Sequence, residues 1–338
     1  MIGCVAPDEE TIEETTVEST LWGDATCSIW NCGSNAATVG DGIVFDELDL
    51  SGRETNAGGV RYLGAVTRWG EPVKLDVYRD HFYAYSSWYG FWFDGANLEG
   101  TVLTLEHVPT GEKIEVQIYR YDPQALHYWA GDAEVVPSYE MRARRPALGE
   151  TKFDRQICKG DNLASDPGWN GKIYNALVYE WDRLDAARKL DTEVSRDTTW
   201  FNLACAGTAM AKLHLVRHTR AGSYNAAGAI AYDTTQAQRT MMLKLITADY
   251  CGKGQSFTVD GTPLWYMDAT GYLPRFEPST AASRESVWTA AGAACLDTPR
   301  LSIYTHADIE AKCGFQIPRC DGMTDWRSYG GAISANPP

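Results

Sequence analysis

Between Thr101 and His107 the chain alternates, with Val102, Leu103 and Leu105 set among polar neighbours. A Pro109-Thr110-Gly111 turn follows, and Ile114, Val116 and Ile118 then recur at period two. Alternation at that period lines one face of a half-buried strand, so this stretch predicts a β-hairpin. Val73–Tyr78 and Tyr139–Arg144 predict further strands, and residues 41–145 read as an antiparallel sandwich or small barrel. Residues 146–170 carry Pro, Gly and Asp and read as a connector. Beyond them the period lengthens. Leu177, Trp181, Leu184 and Ala187 stand at helical spacing within residues 174–190. Residues 202–217 predict a second helix, ending in Lys212, His214, Arg217 and His218, where cations suit the negative end of the helix dipole. Thr235–Tyr250 predicts a third, with Asp233 and Gln236 placed like a capping box and Gly252 just past its end. Ser256–Val259 and Leu264–Met267, on either side of Asp260-Gly261, predict another hairpin. No repeat of fixed period is visible.

The expected fold class is α+β. An antiparallel β sandwich or barrel-like domain (residues 21–145) precedes a disulfide-stabilised α+β domain (residues 146–338). Composition adds limits: of 338 residues, 44% are hydrophobic and 22% charged, which excludes a disordered, collagen-like or coiled-coil chain. The net charge of −15 repels nucleic-acid phosphate and anionic lipid, so no nucleic-acid partner is expected.

The first four residues, Met-Ile-Gly-Cys, have the form of a lipoprotein processing site with small Gly3 before Cys4. Residues 5–20 hold Asp8, Glu9, Glu10, Glu13, Glu14 and Glu18 and no basic residue. Such a segment buries too little apolar surface to offset its ordering entropy, so residues 1–20 read as a solvated acidic tether. The expectation is a protein lipid-anchored at Cys4 on the outer membrane or cell surface, with no other contact to the membrane. Eight cysteines then remain: Cys27, Cys32, Cys158, Cys205, Cys251, Cys295, Cys313 and Cys320. None forms a Cys-x-x-Cys pair, which argues against zinc ribbons and thioredoxin-like sites and for disulfides in an oxidising compartment. Cys27–Cys32 and Cys313–Cys320 could each close a small loop, and the full pairing stays open.

Ala248-Asp249-Tyr250-Cys251-Gly252 is followed by Gly254-x-Ser256-x-Thr258-x-x-Gly261-Thr262-Pro263. This stretch resembles the ADYC domain, a family of bacterial predicted lipoproteins found largely in myxobacteria and their relatives. Trp200-Phe201-x-x-Ala204-Cys205-x-Gly207 with Ala211-Lys212, and Trp288 leading to Cys295, are similar to further segments of that family. So are Trp30-Asn31-Cys32-Gly33-x-Asn35 and Gly95-x-x-Leu98-x-Gly100-Thr101. Leu213 stands where many relatives carry a second cysteine, which implies that one disulfide differs. The resemblance implies an envelope lipoprotein and no particular reaction.

Candidate chemistry is sparse. Cys251 lies at a predicted helix carboxyl end, where the dipole disfavours a thiolate, so a disulfide is the better reading. Ser256 with His306 and Asp308 could supply a Ser-His-Asp set, but Thr258 breaks the Gly-x-Ser-x-Gly form of a nucleophile elbow. A secreted hydrolase using Cys251 or Ser256 with His306 is therefore the alternative. His214 and His218, four apart, could face one metal, yet Arg217 intervenes and no third ligand is evident, so they read as solvated cations and no metal is expected. No phosphate-binding glycine loop, dinucleotide fingerprint or EF-hand loop occurs, so no cofactor is expected.

The unusual feature is aromatic, with 12 Trp and 18 Tyr. Tyr83, Tyr85, Trp88, Tyr89, Phe91, Trp92 and Phe93 fall within eleven residues. In one strand Trp88 and Trp92 would share a face while Tyr89, Phe91 and Phe93 take the other. Two readings are open: a strand covered on both sides between the sheet and the second domain, or an exposed platform for a sugar or an apolar peptide. The second makes Trp88, Tyr89 and Trp92, with Tyr128 and Trp129, the candidate ligand-binding residues. The expected role is non-enzymatic binding or structure, with a glycan or a surface protein as partner.

Overall fold

The computed structural model describes residues 38–39, 43–129, 134–158, 175–184, 190–191, 199–205, 208–225, 227–258, 262, 264–271, 284–321, 325–328 and 330–336. Cys4, the acidic tether, Cys27, Cys32 and the Asp260-Gly261 turn lie outside the described residues.

The chain is mostly β. Its early strands are β1 (Thr38–Val39), β2 (Ile43–Val44), β3 (Glu47–Asp49), β4 (Val60–Val66), β5 (Pro72–Tyr78), β6 (His81–Ser86) and β7 (Phe91–Asp94). Next come β8 (Val102–His107), β9 (Glu112–His127), β10 (Val135–Arg144), β11 (Arg155–Gln156), β12 (Asn175–Glu180), β13 (Arg183–Leu184), β14 (Leu190–Asp191) and β15 (Trp200–Cys205). Helices α1 (Ala209–Leu215) and α2 (Gln236–Thr247) follow. The chain then forms β16 (Trp265–Asp268), β17 (Arg284–Thr289), β18 (Gly292–Leu296), α3 (His306–Cys313) and β19 (Ala332–Ala335).

One large antiparallel sheet runs in the order β3-β15-β12-β10-β9-β8-β4-β5-β6-β7, with β11 paired to β10. The predicted hairpin is β8–β9, with Leu103 opposite Val116 and Leu105 opposite Ile114. The sheet curls until β12 packs over β5 and β6. Inside the curl lie Leu75, Val77, Phe82, Leu105, Ile118, Tyr139, Val178 and Phe201. Its edge is stitched where β7 stops short: the Phe82 N–H donates to the Tyr139 hydroxyl at 2.9 Å. The expected boundary between residues 145 and 146 falls inside this sheet, because β12 and β15 continue it.

A second core lies on the outer face of β12 and β15, where Leu177, Tyr179 and Ala204 meet α1, α2 and α3. A smaller sheet, in the order β16-β19-β17-β18, closes this side. Disulfides join Cys158 to Cys205, Cys251 to Cys313 and Cys295 to Cys320. Three such bonds fit folding in an oxidising compartment. Among the described residues, no helix is long and apolar enough to cross a membrane.

Several sequence expectations need correction. Residues 175–180 form a strand, and the expected helix over 202–217 shrinks to Ala209–Leu215 behind β15. Both strands are buried on both faces, so their apolar runs are continuous and carry no period of two. The α2 cap is Thr235 with Gln238, because Thr235 accepts from the Gln238 N–H and the Gln238 side chain reaches back. Trp265–Asp268 pairs with Ala332–Ala335 and not with the segment from Ser256. Cys313 and Cys320 each pair elsewhere, so they do not close a loop together. His214 and His218 are fully buried, not solvated.

Candidate functional site

The Ala248–Cys251 tetrad follows directly from α2. Ala248 takes the left-handed conformation at the helix end, φ 52°, and turns the chain back on itself. Asp249 is buried and ion-paired with Lys244 Nζ at 3.0 Å, and its carboxylate also accepts the N–H groups of Lys253 and Gly254. A buried charge is tolerable only when paired and hydrogen-bonded in this way. The Tyr250 ring stacks on Trp288 at 5.3 Å. Its hydroxyl donates to Glu285 Oε1 at 2.6 Å and accepts the Arg300 N–H at 2.8 Å. Arg300 in turn pairs with Glu285 and donates to the Leu245 and Ile246 carbonyls at the end of α2. Cys251 is bonded to Cys313 and so carries no free thiol. Tyr250 and Cys251 therefore tie the end of α2 to β17 and α3, while Ala248 and Asp249 shape the turn that places them.

The remaining hydrolase candidates are not assembled. The Ser256 hydroxyl donates to the Thr247 carbonyl at 3.0 Å. His306 begins α3 and faces Glu310 at 3.8 Å, while Asp308 completes the capping box of that helix with Thr305. Among the described residues, no group of three or more His, Cys, Asp and Glu is arranged to hold a metal ion.

A polar cluster sits where the β5–β6 turn meets α1. His214 Nε2 lies 2.6 Å from Asp80 Oδ1, and His214 Nδ1 lies 2.7 Å from Thr219 Oγ1. The Tyr128 hydroxyl donates to Asp80 at 3.0 Å, and the Tyr179 ring stacks flat on His214 at 4.2 Å. The Arg217 guanidinium covers the Tyr128 ring at 3.3 Å and donates to Glu134 at 3.0 Å. Glu180 and Asp182 close the cluster at the end of β12. Burial pushes the Glu180 carboxyl up to about 8, helped by the charges of Asp80 and Asp182, and burial pushes Asp182 up to about 6. Arg79 (φ 57°), Trp181 (φ 81°) and Arg217 (φ 63°) are all left-handed here, a conformation that side chains disfavour. These acids are isolated in sequence and fall in no motif, so sequence reasoning gave no signal for them.

The aromatic residues divide. Ser87–Gly90 turn the chain between β6 and β7, so Trp88 and Tyr89 sit on a turn and only Phe91–Asp94 form the strand. That strand is the outer edge of the large sheet, not a strand covered on both sides. Trp88 is 73% exposed, Tyr89 65%, Phe91 53% and Trp92 48%. On the adjacent β4–β5 turn, Trp69 is 71% exposed beneath Arg68. The two turns are tied together by the Ser86 hydroxyl donating to Glu71. Tyr128 does not extend this surface: it is buried against Asp80, at the opposite end of β6. Trp129 is also exposed but stands at the end of α1, its backbone N–H donating to the Leu215 carbonyl at 2.7 Å. Trp69 gave no sequence signal, because turns adjacent in one sheet are far apart along the chain, whereas Phe91 lies inside the aromatic run itself.

A family model described as the ADYC domain matches residues 95–302. No curated protein and no solved structure matches the chain.

Proposed function

The chain belongs to the ADYC domain family, and from that premise we propose that it acts by binding, not catalysis, through the aromatic surface at the β6–β7 turn. The residues of the family tetrad are core residues here, and the match begins at residue 95, just after β7. The rings therefore lie on a part of the chain outside the family segment. In the same proposal Cys4 is acylated, and the acidic segment lets the folded part stand away from an outer membrane or cell surface.

The observation that carries the reading is the exposure of Trp69, Trp88, Tyr89, Phe91 and Trp92 at one end of the sheet. At ordinary aromatic side-chain areas they present on the order of 600 Å². Phe91 and Trp92 point to opposite faces of β7, so this area wraps the sheet edge, and apolar exposure of a few hundred Å² in one place marks an interaction surface. The hydrolase alternative loses support because Cys251 is oxidised and the Ser256 hydroxyl is committed to a backbone carbonyl.

Hydroxyl-radical footprinting of the exported protein, with and without isolated envelope material, tests this. Protection is expected at Trp88, Tyr89 and Trp92 and not at Trp129. Protection confined to other surfaces would overturn the assignment.

A further inference from the structure

The outer face of the β5–β6–β7 ribbon is built in rows that cross the strands. Lys74 lies opposite Tyr85, and Tyr85 opposite Trp92. In the next row Asp76 lies opposite Tyr83, and Tyr83 opposite Asp94. The side chains between them, Val73, Leu75, Val77, Phe82 and Ala84, point the other way into the core. Directly opposite residues hold their Cβ atoms about 4.5–5.5 Å apart, so each ring has a charged group within reach of whatever covers it. The Tyr85 and Trp92 rings lie 5.3 Å apart and tilted by 50°, forming a shallow two-ring platform. Trp92, Lys74, Asp76 and Asp94 are exposed.

We propose that this face binds a neutral β-linked polysaccharide, with pyranose rings stacked on Tyr85 and Trp92 and their hydroxyls hydrogen-bonded to Lys74, Asp76 and Asp94. The inference rests on the recognition surface proposed above, which meets this face at Trp92, and names its ligand class. A pyranose with equatorial hydroxyls has apolar C–H faces and a polar rim, and the rows supply rings flanked by charges in that same arrangement. An acyl chain or an apolar peptide would cover Lys74, Asp76 and Asp94 without pairing them, and burying unpaired charge is costly. Anionic polymers and anionic lipid are disfavoured by the net charge of −15.

Tryptophan-fluorescence titration with two soluble probes, a β-1,4-linked glucose hexaose and an N-acetylglucosamine hexaose, tests the proposal. Saturable binding of at least one is expected, weakened roughly tenfold or more by Trp92→Ala and less by Asp94→Asn, with Trp129→Ala unchanged. Both test positions are exposed, so neither variant threatens the fold. Absence of saturation by either hexaose at millimolar concentration would overturn the ligand class. So would binding that Trp92→Ala leaves intact. A parallel titration with phosphatidylcholine vesicles separates the two proposals: Trp92-dependent vesicle binding without hexaose binding overturns the glycan and keeps the surface. Footprinting that shows no protection there overturns the surface itself.

Discussion

The Tyr250 hydroxyl donates to Glu285 at 2.6 Å, both groups buried, and so fastens the turn after α2 to β17. Glu285 has a second partner in Arg300 Nη2 at 3.1 Å, and Arg300 holds the last carbonyls of α2. Tyr250→Phe keeps the stack on Trp288 but leaves Glu285 Oε1 and the Arg300 N–H without this partner. The expected loss is about 1–3 kcal/mol, the cost of leaving buried polar groups unsatisfied. Urea denaturation checks it, and an unchanged midpoint would show that the hydroxyl contributes nothing.

Gly252 fits a contact that no side chain can enter. Its φ is +68°, and a Cβ built there would lie 1.8 Å from the Ala291 carbonyl oxygen. Gly252→Ala is expected to cost more than about 1–2 kcal/mol, the left-handed backbone strain alone, because the β17–β18 turn must also move. Gly70→Ala is the comparison: its φ is +82° with nothing within 4 Å of the added carbon. That variant should lose only about 1–2 kcal/mol, the left-handed backbone cost. Equal losses in the two melting curves would mean that backbone strain, not the close approach, sets the requirement for glycine.

Glu180 makes stability depend on pH. Its carboxyl titrates at about 8 in the folded chain, against 4.5 as its ordinary value, chiefly because it is buried. Between those values the unfolded chain has released the proton and the folded chain has kept it, so stability falls as pH rises. The decline is fully absent below about pH 4.5 and complete above about pH 8. Its ceiling is on the order of 4–5 kcal/mol. Asp182, raised from 3.8 to about 6, acts in the same direction over its own lower window. Glu180→Gln should match the parent near pH 4.5 and become progressively more stable than it up to pH 8. A difference that is constant across this range would refute the buried neutral acid.

How much of this was legible in the sequence depends on how many faces each element buries. The β8–β9 hairpin has one face on the core, and its alternation from Val102 to Ile118 shows it plainly. α2 ends three residues before the expected Tyr250, because Ala248 and not Gly252 takes the left-handed cap position, and its N-cap was displaced by two residues because Asp233 resembles a cap as well as Thr235 does. β12 and β15 separate two cores, so Leu177 and Tyr179 serve one while Ala176 and Val178 serve the other. No periodicity survives that arrangement. The aromatic cluster from Tyr83 to Phe93 was visible as composition, but its exposure follows from strand order, which leaves β7 at the edge. Asp80 and His214 are 134 positions apart, and nothing local to either marks the other.

That pair makes the last prediction. Asp80 belongs to the β5–β6 turn and His214 to α1, so their 2.6 Å contact joins the curled sheet to the helical side of the molecule. Arg79 reinforces the join by donating to the Asn225 carbonyl, and Tyr128 reaches Asp80 from the end of β9. Each partner keeps another hydrogen bond, Asp80 from Tyr128 and His214 with Thr219, so Asp80→Asn and His214→Gln should each cost about 1–3 kcal/mol, the penalty of leaving a buried polar group under-satisfied. The double variant should cost less than the sum, with a coupling of about 0.5–3 kcal/mol. Urea midpoints of the four proteins at one fixed pH give that coupling directly. If the two losses simply add, the contact is incidental, and the sheet is held to α1 by the packing of Tyr179 against His214 and by the apolar core around it.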